Sequence, residues 1–156
     1  MKTYKLFRIK NGKLYPLYVE ANKETPIGIE LKASVGVKAD ATHVKSRLGP
    51  LSLRPGWHST RIPFTDWIGK KQKDGTLAQK PDTVWCECEV EGKQLEVKDR
   101  YGSRELLKGW YFFKTNSKQK EPWIISDKIK INKILTNDEV ADICRANGIE
   151  PQPIAV

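Results

Sequence analysis

Thr83-Val84-Trp85-Cys86-Glu87-Cys88-Glu89-Val90 decides how the chain is read. Apolar and polar residues alternate, with Trp85 the exception. Val84, Cys86, Cys88 and Val90 share one face, and Trp85, Glu87, Glu89 and Glu91 share the other. A period of two is the signature of a strand with distinct faces. The eight residues predict a central strand, and Glu91-Gly92 predicts a turn into a return strand over Gln94–Lys98.

Working outward, Thr3–Lys10 alternates as well. Tyr4, Leu6 and Arg8 oppose Lys5, Phe7 and Ile9. Asn11-Gly12 follows, a strong signal for a two-residue type I′ turn. A return strand is expected over Lys13–Glu20. Pro16 has no N–H to donate, so that strand belongs at a sheet edge or carries a bulge. Residues 28–33 read as a short strand, and 38–47 as a strand or a brief helix. Residues 49–63 carry Gly49-Pro50, Pro55-Gly56 and Pro63, which predict turns and irregular backbone. Residues 69–82 predict an exposed mobile loop.

Toward the C-terminus, Trp110–Lys114 reads as a short aromatic strand. Trp123–Ile125 and Lys128–Leu135 alternate again. Thr136 and Glu139 are spaced as a capping box, and Val140, Ile143 and Cys144 fall on one helical face. Asn147-Gly148 predicts the stop, with Ile149 folding back in a Schellman contact. The expected architecture is a β-rich α+β domain over residues 1–150, with antiparallel hairpins, a C-terminal helix and a flexible tail over 151–156.

Composition bounds the function. The 156 residues carry 28 Lys/Arg and 19 Asp/Glu, a net charge of +9. Residues 1–80 hold 16 basic and 6 acidic residues, so the whole excess lies in the first half. Such a field favours nucleic acid, a nucleotide, an acidic protein or an anionic membrane surface, and otherwise a solvated surface. No apolar run reaches the length of a membrane span, so no membrane is expected as a partner. The first residues lack a secretory apolar core, and three cysteines suggest no disulfide framework. A reducing cytoplasm is therefore expected. Cys86-x-Cys88 has no second ligand pair, and the only histidines are His43 and His58, so no metal is expected.

Three segments are candidates for function. In Leu53–Phe64, Arg54 and Arg61 suit phosphate, Trp57 suits ring stacking, and His58 suits acid–base work near neutral pH. Ser59 stands beside them without a nucleophile-elbow pattern. The alternative is that Trp57 fills the core and His58 caps a carbonyl. Glu87, Glu89 and Glu91 form a carboxylate row, read as a solvent face paired with Lys93 or Lys98. Arg61, Trp67, Lys70, Lys71 and Lys73 interleave charge with rings, as do Lys114, Lys118 and Lys120 around Trp110–Phe113. That mixture suits single-stranded nucleic acid.

Read with its flanks, Arg54-Pro-Gly-Trp-His58 resembles a family of small proteins and domains from phages and mobile elements, including domains of large polyvalent proteins. Tyr4–Arg8, Gly12–Tyr18, Val84–Glu89, Gly109–Phe112, Trp123–Ser126 and Lys130–Val140 carry the same resemblance. It implies a phage or mobile-element context in a bacterial host cell more than an activity. With the basic first half, the expectation is an accessory protein that binds nucleic acid or an acidic host protein, and the alternative is a module whose Trp57 and Trp67 region docks another protein. The order of elements is also similar to mono-ADP-ribosyltransferases. That similarity implies NAD as cofactor, Arg8 at its phosphates or ribose, and Trp57, His58 and Ser59 at the nicotinamide pocket. The late acid would be Glu121 or Asp127.

Overall fold

A computed structural model describes residues 1–18, 21–33, 43–46, 49–52, 55–66, 68–96, 106–114 and 118–155, with 43–46 and 49–52 as backbone only. Twelve strands and one helix are formed among them. β1 (Lys2–Lys10), β2 (Lys13–Tyr15), β3 (Glu30–Lys32), β9 (Thr83–Glu89) and β12 (Lys128–Ile134) build one sheet. Its order is β2-β1-β9-β12-β3, with every pairing antiparallel. β6 (Trp57–Ser59), β10 (Trp110–Phe113) and β11 (Trp123–Ser126) form a second, in the order β10-β11-β6. β4 (His43–Ser46) pairs with β5 (Gly49–Ser52), and β7 (Lys70–Lys71) with β8 (Leu77–Ala78).

β9 takes the central place that its alternation demands. Cys86, Cys88 and Val90 join Phe7, Leu14, Ile129 and Ile131 in one buried cluster. Trp85 faces the other way with Tyr4, Leu6 and Leu135, and α1 (Asn137–Ala146) covers that side through Val140 and Cys144. The large sheet is thus covered on both faces: by the helix on one, and by Trp57 and Trp110 of the small sheet on the other. All three cysteines are free and buried. Burial holds the Cys86 and Cys88 thiols up at about 12, so both stay protonated.

Local signals explain both ends. Asn11 and Gly12 have φ of 53° and 75°, as a type I′ turn requires. β2 stops at Tyr15, well short of Glu20, and lies at the sheet edge beside Pro16. At the helix start, the Glu139 amide donates to Thr136 Oγ1, and the Thr136 amide donates to the Glu139 carboxylate. At its end Gly148 has φ of 73°. The Ile149 amide reaches Cys144 O and the Gly148 amide reaches Arg145 O, completing the Schellman motif. Thr136→Ala is expected to cost about 1 kcal/mol, read as a lower urea midpoint at unchanged slope.

Five expectations are corrected. Residues 93–95 run beside β10 and not back along β9: Leu95 donates to Trp110 O and Trp110 to Lys93 O. Both edges of β9 are already occupied by β1 and β12. The carboxylate row accordingly pairs with these flanking strands. Lys2 Nζ lies 3.4 Å from Glu87, the N-terminal ammonium lies 3.0 Å from Glu89, and Asn132 donates to Glu87. Lys98 lies outside the described residues.

Residues 57–59, expected to be irregular, form β6 because β11 offers them a partner edge. Residues 69–82, expected to be a loop, contain the β7–β8 hairpin with Asp74-Gly75 at its tip. The tail does not fray. Gln79 donates to Pro153 O and accepts from the Ala155 amide, and Ala155 is buried. No helix among the described residues is long and apolar enough to cross a membrane.

Candidate functional site

The two sheets meet where β1 leaves an edge uncovered. β2 pairs only with residues 8–10 of β1, so the edge before them is open to another strand. Thr60, just past β6, takes it: the Tyr4 and Thr60 amides each donate to the other's carbonyl at 2.8 Å. Gly56 permits the close approach of this segment to β11. Its φ is 133°, and a β-carbon there would meet Ile125 Cγ2 at 2.7 Å and Ser126 O at 3.0 Å.

This junction explains most of the Pro55–Arg61 segment. Trp57 Nε1 donates to Leu31 O at 3.1 Å, and its ring packs on the Phe7 and Cys86 cluster. His58 Nδ1 lies 3.2 Å from Gly56 O, with its ring edge-on to Trp123 at 5.8 Å. Ser59 is fully buried. Arg61 makes a two-pronged contact with Glu121, at 3.2 and 3.3 Å, and lies over Phe112. Arg54 and Trp67 lie outside the described residues.

Arg8 sits elsewhere. Its guanidinium lies over Tyr15 and donates to the carbonyls of Pro16 and Ala21, tying the segment after β2 to β1. It shares the sheet face of Tyr4 and Leu6, which α1 covers. The two late acids also have partners. Glu121 holds Arg61, and Asp127 Oδ1 accepts from the Gly109 amide. Arg8, His58 and a late acid therefore have separate structural partners.

Lys70, Lys71 and Lys73 are brought together. All three are exposed on one short ribbon, β7, its turn and β8. The ribbon is pinned at its base. Gln152 Nε2 donates to Leu77 O and Ile68 O, and the Gln79 side chain donates to Thr83 O. Gly69, with φ of 152°, allows β7 to start against Ala78, where a β-carbon would come 2.5 Å from Ala78 O. Asp74 is the ribbon's one acid. It turns back to accept from the Thr76 hydroxyl and amide, which holds its carboxyl below the usual range. Those two bonds fix the carboxylate on the turn itself.

Lys5 is a site residue that sequence reading did not single out. It alternates with Phe7 and Ile9 on the apolar face of β1 and is half-buried. Its ammonium donates to His58 O at 2.8 Å and lies 5.6 Å from the Phe7 ring and 5.9 Å from the Trp57 ring. No described carboxylate forms an ion pair with it. Burial pushes it down to about 8, and nearby Cys88 and Cys86 oppose that only weakly. The available signal was a lysine at a core position of an alternating strand, beside Phe7.

Comparison with family models, with curated proteins and with solved structures finds no match to this chain.

Proposed function

We propose that the protein binds the phosphate backbone of a nucleic acid through the lysine ribbon Lys70–Ala78. The supporting observation is the exposure of Lys70, Lys71 and Lys73 on a pinned two-stranded hairpin whose sole acid is folded back on Thr76. A fixed ribbon holds its charges in place before contact, so less ordering cost opposes binding. The basic excess of residues 1–80 adds long-range attraction around it. An accessory role of this kind suits the resemblance to phage and mobile-element proteins.

The test is fluorescence anisotropy with labelled single-stranded and duplex DNA. About five phosphate contacts predict a several-hundred-fold loss of affinity between roughly 50 and 200 mM salt. The triple replacement Lys70→Ala, Lys71→Ala and Lys73→Ala should flatten the log–log salt slope by roughly 3. Its backbone pairing is untouched, so the fold should be retained. No salt-sensitive binding at micromolar protein would overturn the proposal. Capture of polyglutamate without DNA would point to an acidic protein partner and overturn it equally.

A further inference from the structure

We propose that Phe112 and Arg61 form a stacking platform for an unpaired base, so that the nucleic acid held by the lysine ribbon is a single strand. This rests on the nucleic-acid reading of the ribbon and specifies which form of strand is bound. Phe112 alone among the described aromatic rings is exposed, with 41% of its surface open. Its row on the small sheet explains why. Phe112, Ile124 and Ser59 stand across from one another, and the other two are fully buried. β10 is the last strand of that sheet, so the row reaches solvent at the Phe112 ring.

The ring is held in place before any ligand arrives. Trp110, two residues earlier on the same strand face, meets it edge-on with centroids 5.3 Å apart. Trp110 is itself fixed: it packs on the Phe7 cluster and donates through Nε1 to Gly92 O at 3.2 Å. Arg61, also exposed, reaches over Phe112 with its guanidinium carbon 5.8 Å from the ring centroid. Glu121 clamps that guanidinium through two N–H groups, which fixes its plane and offsets its charge. The pair therefore offers planes more than charge. Bases stack on both aromatic rings and guanidinium planes, and a fixed platform needs little ordering on contact.

Charge near the ring favours a polyanion. Residues 106–121 carry four lysines and one acid, the Glu121 that Arg61 engages. Lys108, Lys114, Lys118 and Lys120 are all exposed. The platform is also tied to the ribbon. The Lys120 amide donates to Asp66 Oδ2 at 3.2 Å, and Asp66 stands four residues before Lys70, at most about 14 Å of chain. In a duplex each base face is covered by its neighbour, so an exposed ring finds no partner there. A single strand offers a backbone to the lysines and a free base face to the ring.

The experiment is fluorescence anisotropy on the full chain with a labelled thymidine strand, an abasic strand of the same length and a duplex. Phe112→Leu keeps an apolar side chain and loses the ring face. It should weaken binding of the thymidine strand about tenfold at an unchanged salt slope, and leave the abasic strand and the duplex bound as in the parent. Phe112→Tyr should bind as the parent does. Arg61→Lys keeps the charge and loses the plane, so it should weaken the thymidine strand several-fold. Phe112 is exposed, so its variants should keep the parent's urea midpoint. The triple ribbon variant should flatten the salt slope for all three ligands, which reads the two sites separately. Equal affinity of the parent for all three ligands, or parent-like binding of the thymidine strand by Phe112→Leu, would overturn the platform and leave the ribbon standing. A parent with no salt-sensitive binding to any of them would overturn the ribbon reading and the platform together.

Discussion

Phe7→Ala should destabilise the protein by about 3–5 kcal/mol, the cost of removing a buried aromatic ring and leaving a cavity. Phe7 has no exposed surface and lies in the cluster with Leu14, Cys86, Cys88, Ile129 and Ile131. Its ring also lies under the Lys5 ammonium. Neighbours on β9 and β12 are held in register by their own ladders, so they cannot close over the gap. Domains of this size have about 5–15 kcal/mol in total, so the loss takes a large fraction. Urea denaturation should show a much lower midpoint at an unchanged slope. A loss below about 1 kcal/mol would contradict the core assignment.

Lys5→Met should stabilise the protein at neutral pH, and the gain should disappear in alkali. The folded-state value for Lys5 lies at about 8 against an ordinary 10.5. The fold therefore disfavours the charged amine. Below about pH 8 both folded and unfolded chains carry the proton, and the penalty is complete. Between about 8 and 10.5 the folded chain has released its proton and the unfolded chain still binds one, so stability rises with pH. Above 10.5 both are neutral and the penalty is gone. At about 1.4 kcal/mol per pH unit of displacement the effect is at most about 3 kcal/mol. Methionine keeps the stem and loses the bond to His58 O, a constant offset of about 1 kcal/mol. Cys86 and Cys88, held at about 12, stay protonated in the folded chain over most of this range, so the stability they remove above pH 9 is nearly the same in both proteins. The measurement is urea unfolding of both proteins from pH 7 to 11. A difference that does not change with pH would sink the assignment.

Several elements were legible because their information is local. Alternation over Thr83–Val90 marks a two-faced strand wherever it pairs. Asn11-Gly12 imposes its own turn, and Thr136 with Glu139 caps its own helix. The ribbon at 70–78 was not legible, and its stretch reads locally as an exposed loop. Its base is fixed by Gln152 and Pro153 at the far end of the chain, which no local pattern reports.

The candidate site was less legible for the same reason. Trp57, His58 and Ser59 look like ligand-facing side chains in a stretch full of Gly and Pro. β11 and the open edge of β1 make them a strand and turn Trp57 inward. Arg8 and Arg61 look like phosphate ligands until their partners are seen. Lys5 looks like an ordinary surface lysine on the first strand.

The sequence by itself determined the β-rich architecture, the first hairpin, the central strand, the capped last helix and the location of the positive charge. All of these follow from backbone preference, side-chain period or composition, which act within a few residues. Only the tertiary structure decided which strand lies beside which, and so which charges meet solvent. Pairing across long stretches of chain left Lys70, Lys71 and Lys73 outside and carried Lys5 inward beside Phe7 and Trp57. Burial and partnership depend on what the rest of the chain places nearby.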